Sequence, residues 1–179
     1  MKIIGIGGTL RKGSYSRALL LEAQKLAPKS VVIELTDISS FPLYNPDIEM
    51  PKVVQDFKNK IKAADAVLFS TAEYNFSIPG SLKNAIDWGS RPYGDNSWEE
   101  KPAAIMSESI GMLGGIKAQL HLRQTLLFIN MYPLNKPEFI LGNVGEKFDE
   151  QGNLIDEHTK EKIKELLQAL VNWTERLKP

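Results

Sequence analysis

The sequence predicts an α/β fold: a doubly wound, five-stranded parallel sheet in the order 2-1-3-4-5, with helices on both faces. Three observations lead there. Short apolar, β-branched runs alternate with segments of helical period from one end of the chain to the other. Strict alternation of strands and helices requires parallel strands joined by crossovers, and those crossovers cover both faces of the sheet. No repeat, low-complexity tract or linker divides the 179 residues, so one domain over 1–179 is expected.

Each element has its own signature. Lys2 to Gly7 is a short β-branched run ending in glycines, as in a buried strand. Leu19, Leu20, Ala23, Leu26 and Ala27 form the stripe of a first helix, which Pro28 stops. Val31 to Leu35 reads as a second strand, and Phe41 to Pro51, with its prolines, as a loop. Pro51 suits a first helical position, after which Val53, Val54, Phe57, Ile61 and Ala64 mark one helix face. Ala66 to Thr71 is a third strand, and Pro79 opens a helix carrying Leu82, Ala85 and Ile86, with Gly89 placed to end it. Ala103 to Ser107 is a fourth strand; Ile116, Leu120 and Leu127 help mark a long helix from about Gly114 to Asn130. Met131–Tyr132 and Phe139–Leu141 read as pieces of a fifth strand interrupted by Pro133 and Pro137. Asp156 is the expected cap of a last helix with Ile163, Leu166, Leu167, Leu170, Thr174 and Leu177 on one side.

Composition narrows the chemistry. A chain of 20.0 kDa with 42% hydrophobic residues buries roughly 70% of its unfolded surface and needs no staple. Lys plus Arg and Asp plus Glu both number 22, which argues against bulk electrostatic binding to nucleic acid or an anionic membrane. The absence of cysteine removes disulfides, thiolate nucleophiles and cysteine-ligated zinc or iron–sulfur clusters. Two histidines leave little for a metal site. No apolar run approaches the roughly 18 residues of a membrane span, and the first apolar run is too short for a signal-peptide core. A cytoplasmic location is expected.

In a 2-1-3-4-5 sheet the ligand sits beyond the carboxyl ends of strands 1 and 3, so the loops after strands 1, 3 and 4 carry the argument. Gly7 to Arg17 offers Thr9, Ser14 and Ser16 hydroxyls, the Tyr15 phenol, two further glycines and three cations at a helix N-terminus, which can enclose a phosphate. Equally, it reads as a solvated turn capped by Ser14 or Ser16. It is neither a P-loop, because Lys12 precedes Gly13, nor a dinucleotide fingerprint, because Leu10 stands where the third glycine belongs. Thr71 to Gly80 brings Tyr74, Asn75 and Phe76 to a strand's carboxyl end, either as a stacking surface with amide donors or as packing and turn residues. Ser107 to Gly115 holds three glycines and two serines that allow close backbone approach. One phosphate seat and one flat-ring platform point to a mononucleotide, with FMN the natural candidate.

At these residues the chain resembles the NADPH-dependent FMN reductase family, flavodoxin-like proteins that include quinone, chromate and azo-dye reductases. The resemblance rests on Gly8 to Ser14, on the specific run Glu73 to Trp88, on Ser109-Ile110-Gly111 with Gly114-Gly115, on His121 to Gln124, and on Asn135 to Phe139. It implies that Thr9, Arg11, Ser14 and Ser16 surround the FMN phosphate, with Tyr15 among the cofactor contacts. Glu73, Tyr74, Asn75 and Phe76 would lie along the flavin, and Ser109 and Gly111 near its other side. The chain has Thr9 where the family has Ser, Ser16 where Asn is common, Ala72 where Pro is usual, and Phe76 where Tyr is frequent.

The implied activity is an NAD(P)H oxidoreductase: hydride passes from NADPH or NADH to FMN, and two electrons go on to a quinone or similar small acceptor. No catalytic side chain is then required, and His121 reads as a structural or interface residue. The resemblance also implies a homodimer or homotetramer. Tyr93 and Trp98 either cover the acceptor or anchor their own loop, Arg91 to Lys101; Phe41 to Tyr44 lines either the site or a subunit contact. The alternative is a flavodoxin-type electron carrier without nicotinamide oxidation, which zero net charge disfavours. A flavin-free phosphotransfer domain would need an acidic cluster, for which Asp37, Glu73 and Glu108 are poor substitutes.

Overall fold

The computed structural model describes residues 1–178; Pro179, the last residue of the domain expected over 1–179, lies outside them. In chain order the elements are β1 (Lys2–Gly7), α1 (Tyr15–Leu26), β2 (Val32–Thr36), α2 (Lys52–Lys62), β3 (Ala66–Ala72) and α3 (Gly80–Gly89). There follow β4 (Pro102–Glu108), α4 (Ile116–Phe128), β5 (Tyr132–Pro133), β6 (Phe139–Leu141), a 3-10 turn (Val144–Lys147) and α5 (Glu157–Leu177). The strands are parallel and ordered β2-β1-β3-β4-β5, with β6 also on β4. The interrupted fifth strand is therefore real. β5 pairs with Pro102 and Ala103 at the start of β4, and β6 with Met106 to Glu108 at its end. Pro133 and Pro137 lack the N–H that an unbroken ladder would need.

Alternation along the strands divides the interior in two. Ile4 and Ile6 of β1 with Ala103 and Ile105 of β4 face α2, α3 and α4. Ile3 of β1 with Ala104 and Met106 of β4 face α1 and α5. The three isoleucines of β1 have no exposed surface, and each such burial contributes about 1.5–3 kcal/mol. No described helix is long and apolar enough to cross a membrane.

Three expectations need correction. Ile116, Leu120 and Leu127 do not mark the buried face of α4: they are 38%, 57% and 77% exposed, while Ala118, Gln119, Leu122 and Leu126 are buried. At 100° per residue the first three form a separate stripe turned away from the sheet. Val53 is exposed on α2, whose buried face includes Lys58 instead, and α2 starts at Lys52 with Pro51 as its cap.

The loop from Arg91 to Lys101 leads from α3 into β4, so it lies at the amino ends of the strands, away from the ends where ligands bind. It is an anchored segment and no cover. Trp98 is fully buried, donating Nε1–H to the Ile86 carbonyl at 3.0 Å and packing edge-on against Phe57. Lys58, also fully buried, donates to the carbonyls of Arg91 and Asp95, the latter at 2.7 Å, and stands 3.0 Å from the Asp95 carboxylate. Burial pulls the Lys58 amine below its ordinary range, and Asp95 opposes that shift.

Candidate functional site

A cleft of about 240 Å³ opens at the carboxyl ends of β1, β3 and β4. Thr9, Arg11, Ser14 and Tyr15 line it from the first loop; Ala72, Glu73 and Tyr74 from the second; Glu108, Ser109 and Ile110 from the third. The three loops singled out by topology thus meet in one place. Ser16, Asn75, Phe76 and Gly111 are not among the lining residues.

The first loop is built to present groups to the cleft. Its start is pinned by the Gly8 N–H on the Ser70 carbonyl and by the Ser81 hydroxyl on the Gly8 carbonyl, both 2.8 Å. Ser14 caps α1, its Oγ accepting the Arg17 N–H at 3.2 Å. The Thr9 hydroxyl oxygen is buried without a hydrogen-bond partner. Arg11 is exposed and donates to the Gly13 carbonyl at 2.9 Å. Tyr15 is braced by Phe148, ring centroids 5.3 Å apart. Ser16 is fully buried, and its hydroxyl donates to Glu108 Oε1 at 2.6 Å.

After β3 the chain makes a two-residue hairpin. Tyr74 and Ser77 exchange backbone hydrogen bonds at 2.9 and 3.0 Å, and Asn75 and Phe76 take φ of +50° and +66°. Positive φ at both central positions is the twist a tight hairpin requires. It suits Asn75, but an aromatic there costs about 1–2 kcal/mol. Phe76 lies outward, 64% exposed, with the Lys117 ammonium 3.1 Å from its ring centroid, a cation–π contact. Glu73 caps α4, its Oε2 accepting the Lys117 and Ala118 N–H groups at 3.0 and 3.2 Å. His121 Nδ1 lies 2.9 Å from the Ser77 hydroxyl, tying α4 to the hairpin.

The third loop folds back on itself. Gly111 N–H is taken by Ser109 Oγ at 2.9 Å, and the Gly111 carbonyl accepts from Asn143 at 3.1 Å. Gly114 and Gly115 have φ of +61° and +75°, and a Cβ on Gly115 would meet the Glu108 carbonyl oxygen at 2.9 Å. Only glycine fits there.

Glu108 is the cleft residue to which sequence reasoning gave no place. It is 4% exposed and lines the cleft. Burial pushes its carboxyl up, while the Ser16 hydrogen bonds and the Arg11 charge pull it back. The signal was present in the alternation of β4: Ala104 and Met106 face α1 and α5, so Glu108, two residues on, faces α1 as well.

The Phe41 to Tyr44 segment is fastened to α3. Asn84 donates to the Pro42 carbonyl at 2.9 Å and accepts from Tyr44 N–H at 2.7 Å, and Trp88 donates to the same Pro42 carbonyl at 2.8 Å. Among the described residues no group of three or more His, Asp or Glu side chains is placed to hold a metal ion.

The site therefore offers an anion seat at the α1 end, with a helix N-terminus, Arg11 and an unpartnered hydroxyl, and a rim of backbone and Tyr74 at the other end. The profile of a family described as NADPH-dependent FMN reductase matches residues 1–146. An NAD(P)H-dependent FMN reductase of Pseudomonas aeruginosa is 50% identical over 99% of this chain and 97% of its own. An NADPH:quinone oxidoreductase of Arabidopsis thaliana is 46% identical, over 99% and 93% respectively. The solved structure of a flavoenzyme NAD(P)H:(acceptor) oxidoreductase from Paracoccus denitrificans superimposes with a TM-score of 0.90 at 38% identity, covering 98% of this chain and 97% of that one. With its flavodoxin-like sheet and these matches along its length, the chain belongs to the NADPH-dependent FMN reductase family.

Proposed function

We propose that residues 1–179 form one FMN-binding domain whose cleft seats the cofactor phosphate against α1 and the flavin along the second and third loops. The activity is that of an NAD(P)H-dependent flavin oxidoreductase with a quinone as electron acceptor. The observation that carries the site reading is the Thr9 hydroxyl, buried in the cleft wall with no partner. A buried polar group without a partner is costly, and a phosphate oxygen beside Arg11 would accept from it.

When bound, FMN supplies the two-electron chemistry between nicotinamide and acceptor, work for which the protein need provide no nucleophile. The chain's own residues bind and orient. Thr9 and Arg11 hold the phosphate, and Ser14 keeps the first turn of α1 in place by capping it. Glu73 fixes the second loop to α4, so that the Tyr74–Ser77 hairpin presents its backbone at a constant height. Ser109 bounds the far side, its Oγ held by the Gly111 N–H; Asn75 and Phe76 are exposed and stand outside the cleft lining.

The exposed stripe of Ile116, Leu120 and Leu127, with Met112 and Leu113 just before it, supports a homodimer or homotetramer. Balanced charge and the lack of cysteine support a cytoplasmic location. The test is spectroscopic: the protein purified with FMN should show a bound-flavin visible spectrum, bleached by NADPH or NADH without air and restored by a quinone. No bound flavin would remove the cofactor reading. Bound flavin that neither nicotinamide bleaches would return the electron-carrier alternative.

A further inference from the structure

Glu108 takes no part in the cofactor contacts assigned to Thr9 and Arg11, yet it occupies the cleft at its most anion-demanding point. It ends β4 on the face covered by α1, and its Oε1 holds the Ser16 hydroxyl at 2.6 Å. Ser16 lies in the first turn of α1, where unpaired N–H groups and the positive end of the helix are concentrated. A phosphate seated at this end needs those same groups. A carboxyl group of the protein already holds one of them.

The surroundings of Glu108 leave little to neutralise a second anion. Arg11, from the first loop, is the charge acting on it. From α1 come Ser16 and the Tyr15 phenol on the cleft wall. Its register neighbours, Ala72 on β3 and Leu141 on β6, carry no charge. At the start of α4, Gly115 packs against its backbone. Across the cleft stand Tyr74 and Glu73, the latter's carboxylate turned to the N–H groups of α4. Among the described residues no charged side chain of α5 or of the 3-10 turn acts on it. A phosphomonoester brings a charge of about −1.5 to −2 at neutral pH. Arg11 and the roughly half charge of a helix end can balance that, but not an ionised Glu108 too. Two anions in one buried seat cannot both stay charged, so one keeps a proton. Burial pushes the Glu108 carboxyl up from its ordinary range, and a phosphate ordinarily holds its second proton up to about pH 6, so either group can carry that proton.

We propose that Glu108 and the FMN phosphate take up one proton from solvent as the complex forms and hold it between them, so that cofactor affinity depends on pH through this residue. The only bond formed is one O–H, on the carboxyl group or on a phosphate oxygen; Oε1 keeps the Ser16 hydrogen bond. The inference rests on the phosphate seat proposed for this cleft. Its sign follows from linkage: the pair holds a proton to higher pH in the complex than its members do apart, so between those values binding takes up a proton and affinity falls as pH rises.

The test loads the full chain with FMN and follows release on dilution by flavin fluorescence, at constant ionic strength between pH 7 and 8.5. That range lies above the second phosphate pKa of about 6, so free FMN stays almost wholly dianionic throughout. For the wild type, the FMN Kd should rise by up to about tenfold per pH unit. Glu108→Gln should bind with a flat profile and at least about tenfold tighter than wild type at pH 8.5. Riboflavin, lacking the phosphate, should show no slope. A flat wild-type FMN profile, or a slope that persists in Glu108→Gln, overturns the inference. If that variant does not fold, Glu108→Ser is measured in its place with the same outcomes, and the FMN–riboflavin contrast shows that the slope needs the phosphate. No FMN binding at any pH overturns the cofactor-site reading itself, whereas tight, pH-independent binding overturns only the role of Glu108.

Discussion

Replacing Thr9 by Val should move two measurements in opposite directions. The substitution keeps the branched shape and removes only the hydroxyl, whose oxygen is buried in the cleft wall without a partner. In the flavin-free protein such an unpaired group costs about 1–3 kcal/mol, so Thr9→Val should be more stable by about 1 kcal/mol or more. At about 2–4 °C per kcal/mol for a domain of this length, the flavin-free Tm should rise by a few degrees. With FMN bound, the same hydroxyl would donate to a phosphate oxygen, a charge-assisted bond worth about 1.5–3 kcal/mol. Its loss should weaken FMN binding by roughly 10- to 150-fold. The assays are thermal unfolding with and without saturating FMN, and flavin release on dilution. A flavin-free Tm that falls, or an FMN affinity within twofold of wild type, would refute the assignment of Thr9 to the phosphate seat.

Three other outcomes are expected. Arg11→Ala should weaken FMN binding by at least about tenfold, and Lys12→Ala by less than about threefold, because Arg11 lines the cleft and Lys12 does not; equal effects in the release assay would misplace the clamp. Lys58→Met should lower stability by about 2–3 kcal/mol, seen as a Tm drop of about 5–10 °C, since it strands the Arg91 and Asp95 carbonyls that Lys58 now satisfies. Its bound-flavin spectrum should be unchanged, because the loop lies at the opposite end of the sheet. Asp156, the α5 cap, is held down to about 2 from an ordinary 3.8 by Thr159 and Lys147. Its depressed value means that the ionised form stabilises the fold, fully above pH 3.8 and progressively less down to about pH 2. Urea midpoints for wild type and Asp156→Asn should therefore differ at pH 5 and converge near pH 2.

Most of the architecture was legible locally. The alternation of β-branched runs with helical stripes, Pro28 after α1, Pro79 before α3 and Asp156 before α5 are signals that act within a few residues, and each element formed where they pointed. The two prolines of the fifth strand foretold its break into β5 and β6 because a missing N–H is a property of the residue itself. The positions of the three site loops followed as well, since a parallel sheet sends every strand's carboxyl end to one edge.

What periodicity could not supply was the identity of the surface each residue meets. Ile116, Leu120 and Leu127 make a valid apolar stripe, yet they face outward while Ala118 and Leu122 meet the sheet. Lys58 reads as a solvated cation but is buried because a loop 33 residues further along provides its acceptors. Glu73 looks like a site acid and is a helix cap for α4, 44 residues away in sequence. Ser16 and Glu108 are 92 residues apart, and only the docking of α1 on the end of β4 makes them a hydrogen-bonded pair at the edge of the cleft. By itself the sequence determined the sheet, its order and the edge where chemistry occurs, because those depend on local pattern and chain connectivity. The tertiary structure alone decided which polar groups are paired, buried or left without a partner, because those states depend on contacts between segments far apart in the chain.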